Sequence, residues 1–531
     1  MKRIRDDGQL SRSEYEWDQG LTAVAGQQGS FSKADASTLA GRRIVSANRG
    51  EIKKLEFIKH IKELNASFRS WFKEQIQQDV KANLSNAVQD YIDYASQLES
   101  RYLRQYGECL TFGSGDCAQL GHGTEEDEDL MVKFPRVVFP LRDKKVCGIS
   151  CGGLHNAVWT EQGHCYTWGC SDDGSLGRVG DETTPLLVQG LVDANEFIIG
   201  VACGDGQTIA VGASGRVWGW GCYKDKEGKK FFNPSESAQS QVGDIKKQQN
   251  DPMLIQGLAN VVEVACGSAF NLALCDDGAV YSWGLGECGE LGRQTGPLKK
   301  PAKGDEEAKY DLDGLYAQHI TPGRMFRAAC SAGSAPVPVD GVKSIGCGAY
   351  HSMVVCIGGA VLSCGLSNYA QLGLGTTDQQ TFLTPVTALD GLGVVSVKGG
   401  VHHSLVLTSS GRVYAFGRSD SGQLGVASTS QSLEAAGSFS KVPVEVTVGD
   451  GAAVVTSIAC GGNHNLAVTA NNEVYTWGYG DMLALGHGLE RDESVPKKIN
   501  FSKAKIGNIT ITQVAGGGQH SAIIGQVITT L

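Results

Sequence analysis

Proline is scarce in this 531-residue chain, 13 residues against 71 glycines, which excludes collagen-like and proline-rich low-complexity architectures and describes a turn-rich β protein. Acid exceeds base, giving a formal net charge of −10 at pH 7. The molecule as a whole is therefore not a polycation built for nucleic acid, and any such contact needs a local basic patch. No apolar run reaches the length of a membrane span, and the opening MKRIRDDGQLSRSEYEWD is too polar for a secretory signal. A soluble, intracellular protein without membrane insertion is predicted. The 16 cysteines include no CxxC pair. They follow a repeat in a chain too long to depend on disulfides, so reduced thiols are expected.

What is present is a paired signal that recurs seven times. Its first half reads FGSGDCAQLG, WGCSDDGSLG, WGCYKDKEG, WGLGECGELG, CGLSNYAQLG, FGRSDSGQLG and WGYGDMLALG, starting at Phe112, Trp168, Trp220, Trp283, Cys364, Phe416 and Trp477. The second half is a Gly-x-x-His-like turn, in CGGLHN, CGDGQT, CGSAFN, CGAYHS, GGVHHS, CGGNHN and GGGQHS. Its key residue falls at His155, Gln207, Phe270, His351, His402, His464 and His520. Between the halves, runs such as NAVWTEQGHCYTWG place two short β-rich segments around a Gly turn, as a hairpin requires. Self-similarity at roughly 50 residues per unit implies blades packed around an axis, because one blade alone cannot bury its faces. The fold class predicted is all-β, a seven-bladed β-propeller over residues 106–530.

Each repeated residue type has a structural reading. Glycine before the apolar strand permits close backbone approach or positive φ, and glycine after the aromatic permits a sharp strand exit. The recurring histidine can hydrogen-bond backbone groups of a neighbouring turn. Cysteine precedes the glycine at Cys151, Cys203, Cys266, Cys347 and Cys460, where a small buried packing position is expected. No repeated set of Asp, Glu and His lies outside these fold-building turns. A propeller enzyme with metal or carboxylates in its channel therefore finds no support, and neither metal nor cofactor is expected.

The first hundred residues differ. Residues 1–50 are polar and without periodicity, which predicts a disordered tail carrying two basic clusters: Lys2, Arg3 and Arg5, then Arg42, Arg43 and Arg49. Spaced clusters of this kind fit the acidic and aromatic grooves of a nuclear-import receptor. From Glu51, one apolar stripe runs through Ile58, Ile61, Leu64, Phe68, Phe72 and Ile76. A second runs through Leu84, Val88, Tyr91, Ile92, Ala95, Leu98 and Tyr102. Two amphipathic helices paired as an α-helical hairpin are predicted over 51–104, packing on each other, on the propeller or on a partner.

Residues 106–530 resemble the regulator of chromosome condensation family, whose founding members are guanine-nucleotide exchange factors for the small GTPase Ran. GLSNYAQLG at 365–373, GRSDSGQLG at 417–425 and GGGQHS at 516–521 resemble the exchange-factor branch, and the blade order matches. The resemblance implies a first blade, opening at Tyr106–Leu110, that is closed by C-terminal strands near 513–528. The segments KRIRDDGQLSRSEYEWD and GSFSKADASTLAGRRIVSANR resemble the importin-α-binding start of a nuclear-basket nucleoporin. Lys2, Arg3, Arg42 and Arg43 match its basic positions, although the Lys-rich stretch usual after the second pair is here IVSANRG. FIKHIKELNASFRSWFKEQI and VQDYIDYASQLESRY are similar to a helical segment of the same nucleoporin family.

The resemblance implies Ran exchange without covalent chemistry, a nuclear location at the pore or chromatin, and importin-α and pore-basket proteins as partners. It also assigns residues. CYKDKEG, from Cys222 to Gly228, occupies the place of a wedge from the third blade, with Tyr223, Lys224 and Asp225 matching its aromatic, basic and acidic pattern. His155, Asp205, Arg293, His402 or His403, and His520 match polar residues of the Ran-binding face. The fourth blade departs from the pattern, with Ala269 and Phe270 where exchange factors carry an acid followed by His. Nucleosome or DNA contact is implied for a loop after the fourth blade, Gln294–Asp340. Its Lys299, Lys300, Lys303, Arg324 and Arg327 are offset by Asp305, Glu306 and Glu307. The alternative is a non-catalytic propeller scaffold, which Ala269 favours and which the wedge and Arg293 oppose.

Overall fold

The computed structural model describes residues 106–123, 130–232, 246–295, 321–329, 334–426, 439–504 and 509–527. The predicted tail and helical hairpin, with Lys2, Arg3, Arg42 and Arg43, lie outside the described residues, as do Lys299, Lys300, Lys303, Asp305, Glu306 and Glu307.

Seven antiparallel sheets of the predicted kind surround one axis. The second blade is representative: Val146–Cys151 lines the axis, followed outward by His155–Thr160, Cys165–Gly169 and the short Leu186–Leu187. The first blade joins the chain ends. Its inner strands are Ile509–Gly516 and His520–Val527, and its outer strands are Glu108–Ser114 and Met131–Val137, with Leu110 paired to Ile523 and Gly113 to His520. The inner closing strand begins four residues earlier than expected, at Ile509.

The seven signal positions Phe112, Trp168, Trp220, Trp283, Cys364, Phe416 and Trp477 are all fully buried between blades. Each aromatic ring so placed contributes on the order of 1.5–3 kcal/mol relative to exposure. The glycine that follows explains the sharp exit. At Gly169, φ is +109°, and a Cβ would lie 2.5 Å from the carbonyl oxygen of Leu154. Any side chain would force the third strand off the second.

Two features depart from the sequence reading. The long insertion lies inside the fourth blade, between its third strand Val280–Gly284 and its outermost strand Gly323–Arg324, rather than after that blade. Downstream, Phe326–Arg327 joins the outer edge of the fifth blade in parallel with Gln380–Pro385. The cysteine ring is less enclosed than expected: Cys203 is buried, but Cys151, Cys266, Cys347 and Cys460 are only partly so, on the wall of a central channel of roughly 900 Å³. Each of the 15 described cysteines is a free thiol. Among the described residues, no helix is long and apolar enough to cross a membrane.

Candidate functional site

Strand direction alternates within each blade, so the turns joining first to second strands and the loops joining third to fourth strands emerge at the same end. At that end the seven turns clasp one another. Gly153 N donates to Gly204 O, Asp205 N to Ser268 O, Ser268 N to Ala349 O and Ala349 N to Gly400 O, at 2.9–3.1 Å. Val401 N to Gly462 O, Gly462 N to Gly517 O and Gly518 N to Gly152 O, at 2.8–3.2 Å, complete the circuit. A Cβ at Gly152 would lie 2.4 Å from Gly204 O, so this close approach is what the repeated glycine serves.

A row of inter-blade histidine bonds, interrupted at Gln207 and Phe270, lies beneath it and corrects three assignments. His155, His403 and His520 were expected on the partner-binding face, but each is no more than 1% exposed. Their Nε2 atoms reach across to the next blade, His155 to Thr208 Oγ1 at 2.8 Å, His403 to Asn465 Oδ1 at 2.7 Å and His520 to Asn156 Oδ1 at 2.7 Å. His351 and His464 do the same with Ser404 and Ser521, both at 2.8 Å. The hydroxyl partners have already donated their protons, Thr208 to Ser175 O, Ser404 to Gln371 O and Ser521 to Ala484 O. The histidines are therefore the donors, as neutral Nε2–H tautomers. The repeat residue in the sixth blade is His403, which opens the strand His403–Thr408; His402 stands one place earlier in the turn.

Arg293 is also drawn inward. Its guanidinium donates to the carbonyls of Ser282 at 3.3 Å and Thr321 at 3.0 Å, tying the third strand of its blade to the segment before the outer strand. Burial lowers its pKa to about 10. Arg178 occupies the same place in the second blade and donates to Thr167 O and Thr184 O. Arg293 is thus a within-blade tie, not a face residue.

The segment expected to form a wedge is a hairpin, Tyr223–Lys224 against Lys230–Phe231, inserted between the third and fourth strands of the third blade. Tyr223 is its root, not its tip. It is fully buried, stacks on Phe232 at 5.3 Å, and lies in one apolar cluster with Ile209 of its own blade and Trp283 of the next. Lys224 is exposed but ion-paired, 2.6 Å from Asp173 in the second blade. Asp225 turns the hairpin, its Oδ1 accepting from Glu227 N at 3.0 Å and Lys229 N at 2.8 Å. Gly228 has φ +79° with open space where a Cβ would stand, so it marks the projecting end.

Asp205 stands at the channel mouth at the same end. Its carboxylate accepts from Ser268 Oγ, and its backbone N–H donates to Ser268 O at 2.9 Å. The group keeps solvent-facing surface, yet protein crowds it closely enough that desolvation raises its pKa, against the hydrogen bond from Ser268. Farther round lies a cluster that the sequence did not reveal. Tyr369 meets the His402 ring at 4.9 Å, Tyr350 meets it at 5.9 Å, and the Arg418 guanidinium sits 5.0 Å over Tyr369 while pairing with Asp420. Burial and the Arg418 charge lower the His402 pKa. These residues come from two blades, so no local motif announces them. The site thus offers a projecting hairpin, a buttressed carboxylate and an aromatic–cationic patch on one surface. Among the described residues no group of three or more His, Cys, Asp or Glu is arranged to hold a metal ion.

A profile of the RCC1-like domain matches residues 108–523. The Mus musculus protein named regulator of chromosome condensation is 30% identical over 422 residues, covering 79% of this chain and 90% of its own length. A Saccharomyces cerevisiae protein named guanine nucleotide exchange factor SRM1 is 25% identical over 484 residues, 83% of this chain and 90% of its own. A solved structure described as Kap60 bound to yeast RCC1 (Prp20) matches with a TM-score of 0.67 at 25% identity, covering 80% of this chain and 90% of that one.

Proposed function

The chain belongs to the RCC1-like domain family, and from that premise we propose that it is a guanine-nucleotide exchange factor for the small GTPase Ran. The observation that carries this reading is the projecting Tyr223–Phe231 hairpin on the same end of the propeller as Asp205. A GTPase holds its nucleotide mainly through the phosphates and Mg²⁺. A partner that binds best to the state in which this cradle is disrupted accelerates release without covalent chemistry. The hairpin supplies a rigid body to press beside the phosphate site. Asp205 accepts hydrogen bonds from a basic partner, and the Tyr350, Tyr369, His402 and Arg418 patch extends the docking face.

The N-terminal extension, on this reading, binds importin-α through Lys2, Arg3, Arg42 and Arg43 and couples exchange to nuclear transport at the pore basket. The Kap60 complex of the yeast relative supports an importin-α partner. The protein then works in the nucleus. Contact with nucleosomal DNA has weaker support, since Arg324 is already paired with Asp340. One observation favours a non-catalytic scaffold instead: the fourth blade presents Ala269 and buried Phe270 where the family's exchange factors carry an acid and His.

Release of labelled GDP from purified Ran distinguishes the two. The full chain should accelerate release; Asp205→Ala, or replacement of 224–229 by Gly and Ser with Tyr223 and Phe231 retained, should slow it. No acceleration by the intact chain leaves the scaffold. For the extension, residues 1–50 should retain importin-α, and Arg42→Ala with Arg43→Ala should weaken it; retention undiminished by deleting the segment would sink that half.

A further inference from the structure

We propose that Asp173, a residue of the second blade, is the positioning residue that sets the orientation of the third-blade wedge. The functional half of this inference rests on the exchange reading above; the structural half stands on geometry alone.

The hairpin has only two paired positions, Tyr223 with Phe231 and Lys224 with Lys230. A ribbon this short is not stable in water by itself. Its first pair is fixed by burial, since Tyr223, Phe231 and Phe232 are each no more than 1% exposed. Its second pair sets two ammonium groups directly across from one another, which repels. The anion between them is Asp173, with Oδ2 2.6 Å from Lys224 Nζ and Oδ1 2.9 Å from Lys230 Nζ. Lys230 Nζ also donates to the backbone carbonyl of Asp172 at 3.0 Å. One carboxylate therefore turns a repulsive cross-strand pair into a clamp and ties the ribbon to the neighbouring blade.

The surroundings are fitted to this carboxylate. Its side chain is 14% exposed, and a Cβ at Gly206 would stand 3.0 Å from both Asp173 Oδ2 and the carbonyl of Cys222 at the wedge root. Burial opposes its charge, and the ion pairs with Lys224 and Lys230 outweigh that burial, holding the carboxyl below its usual range. The Asp205 carboxylate is close enough to feel both Lys224 and Asp173. The clamp thus fixes the wedge relative to the face acid.

The test uses the full chain and Asp173→Asn, a nearly isosteric change that removes only the charge. Amide hydrogen exchange across 222–232 should quicken by about tenfold or more, equivalent to ~1.4 kcal/mol of local opening, with the unfolding midpoint little changed. In GDP release from Ran, the maximal rate should fall several-fold with little change in the half-saturating Ran concentration. Adding Lys230→Gln, which removes the exposed repulsion, should return much of the amide protection, as should Asp173→Glu. Unaltered amide exchange in Asp173→Asn overturns the clamp. Faster amide exchange with unaltered GDP release overturns the positioning role. If the intact chain releases no GDP, the exchange reading fails while the amide measurement still decides the clamp.

Discussion

His520 Nε2 lies 2.7 Å from the side-chain oxygen of Asn156, across the junction where the last turn of the chain meets the second blade. Asn156 in turn donates through Nδ2 to Gln119 O at 2.6 Å, in the loop of the first blade. Closure of the ring is therefore written in side-chain hydrogen bonds as well as in strand pairing. The same inter-blade bond recurs at His155, His351, His403 and His464.

These five buried histidines predict acid sensitivity. Burial lowers the pKa of His155, His403 and His464 to about 4 and that of His351 and His520 to about 3, from an ordinary 6.5, and neighbouring histidines lower several of them further. The Nδ1 atoms of His351, His403 and His520 are buried with no hydrogen-bond partner among the described residues, so an added proton there has no acceptor. The unfolded chain takes up protons near pH 6.5 and the folded chain does not, so stability present above that pH is lost as pH falls towards 4. Each pKa unit corresponds to about 1.4 kcal/mol per group. Urea midpoints measured from pH 7.5 to 5 should fall steeply, and His464→Gln should flatten the slope. A slope equal in the variant would contradict the assignment.

Glu290 predicts the opposite dependence. In three other blades the corresponding residue is glutamine, whose side-chain oxygen accepts a backbone N–H two residues earlier: Gln119 from Cys117 at 2.8 Å, Gln371 from Tyr369 at 3.0 Å and Gln423 from Ser421 at 2.9 Å. Glu290 Oε2 accepts from Cys288 N at 2.7 Å in the same way. Burial pushes this carboxyl up to about 8, with the Glu287 charge adding to the rise. Protonated, it imitates the glutamine of its sister blades. The unfolded group ionises near 4.5 and the folded one near 8, so its stabilising contribution is full at low pH and is lost as pH rises through that window. Glu290→Gln should therefore gain at least ~1 kcal/mol over the parent at pH 9 and much less at pH 5. Parallel stability curves from pH 5 to 9 would refute it.

The repeat was legible because each consensus residue performs one local task in nearly every blade. A buried Trp168, a left-handed Gly169 and an inter-blade His155 recur in register with the repeat, so the pattern announces them even where their partner sits in another blade. The face was not legible for the converse reason. Tyr369 and His402 meet across two blades, and Asp173 reaches the wedge from the blade before it. The misplaced residues follow the same division: His155, His403, His520 and Arg293 belong to the repeat's internal bonding. The recurrence of Leu-Gly-Arg at 176–178 and 291–293 was the available sign that Arg293 is structural.

Tyr223 supplies the last prediction, because it repairs a break that the wedge makes in the bonding pattern. Elsewhere a loop carbonyl receives both the tryptophan indole and a side chain of the next blade: Gln119 O accepts from Trp168 Nε1 at 3.0 Å and Asn156 Nδ2 at 2.6 Å, and Gln423 O accepts from Trp477 Nε1 at 3.1 Å and Asn465 Nδ2 at 2.8 Å. In the third blade the wedge sequence CYKDKEG replaces the Gln-Leu-Gly type of loop that offers this carbonyl. With its side-chain amide turned to the orientation that satisfies its neighbours, Asn271 takes over as acceptor: the amide oxygen then lies 3.1 Å from Trp283 Nε1 and 2.9 Å from the Tyr223 hydroxyl, and the NH₂ donates to Phe270 O at 3.2 Å. Tyr223→Phe keeps the buried ring and deletes only the hydroxyl, so it should cost about 1 kcal/mol. Tyr223→Ala also empties the root and should cost ~3–5 kcal/mol. Measuring Tyr223→Phe, Asn271→Ala and the double variant by urea unfolding should return a coupling energy of at least ~0.5 kcal/mol. Strict additivity would mean that the hydroxyl does not complete the circuit and that the wedge is rooted by packing alone.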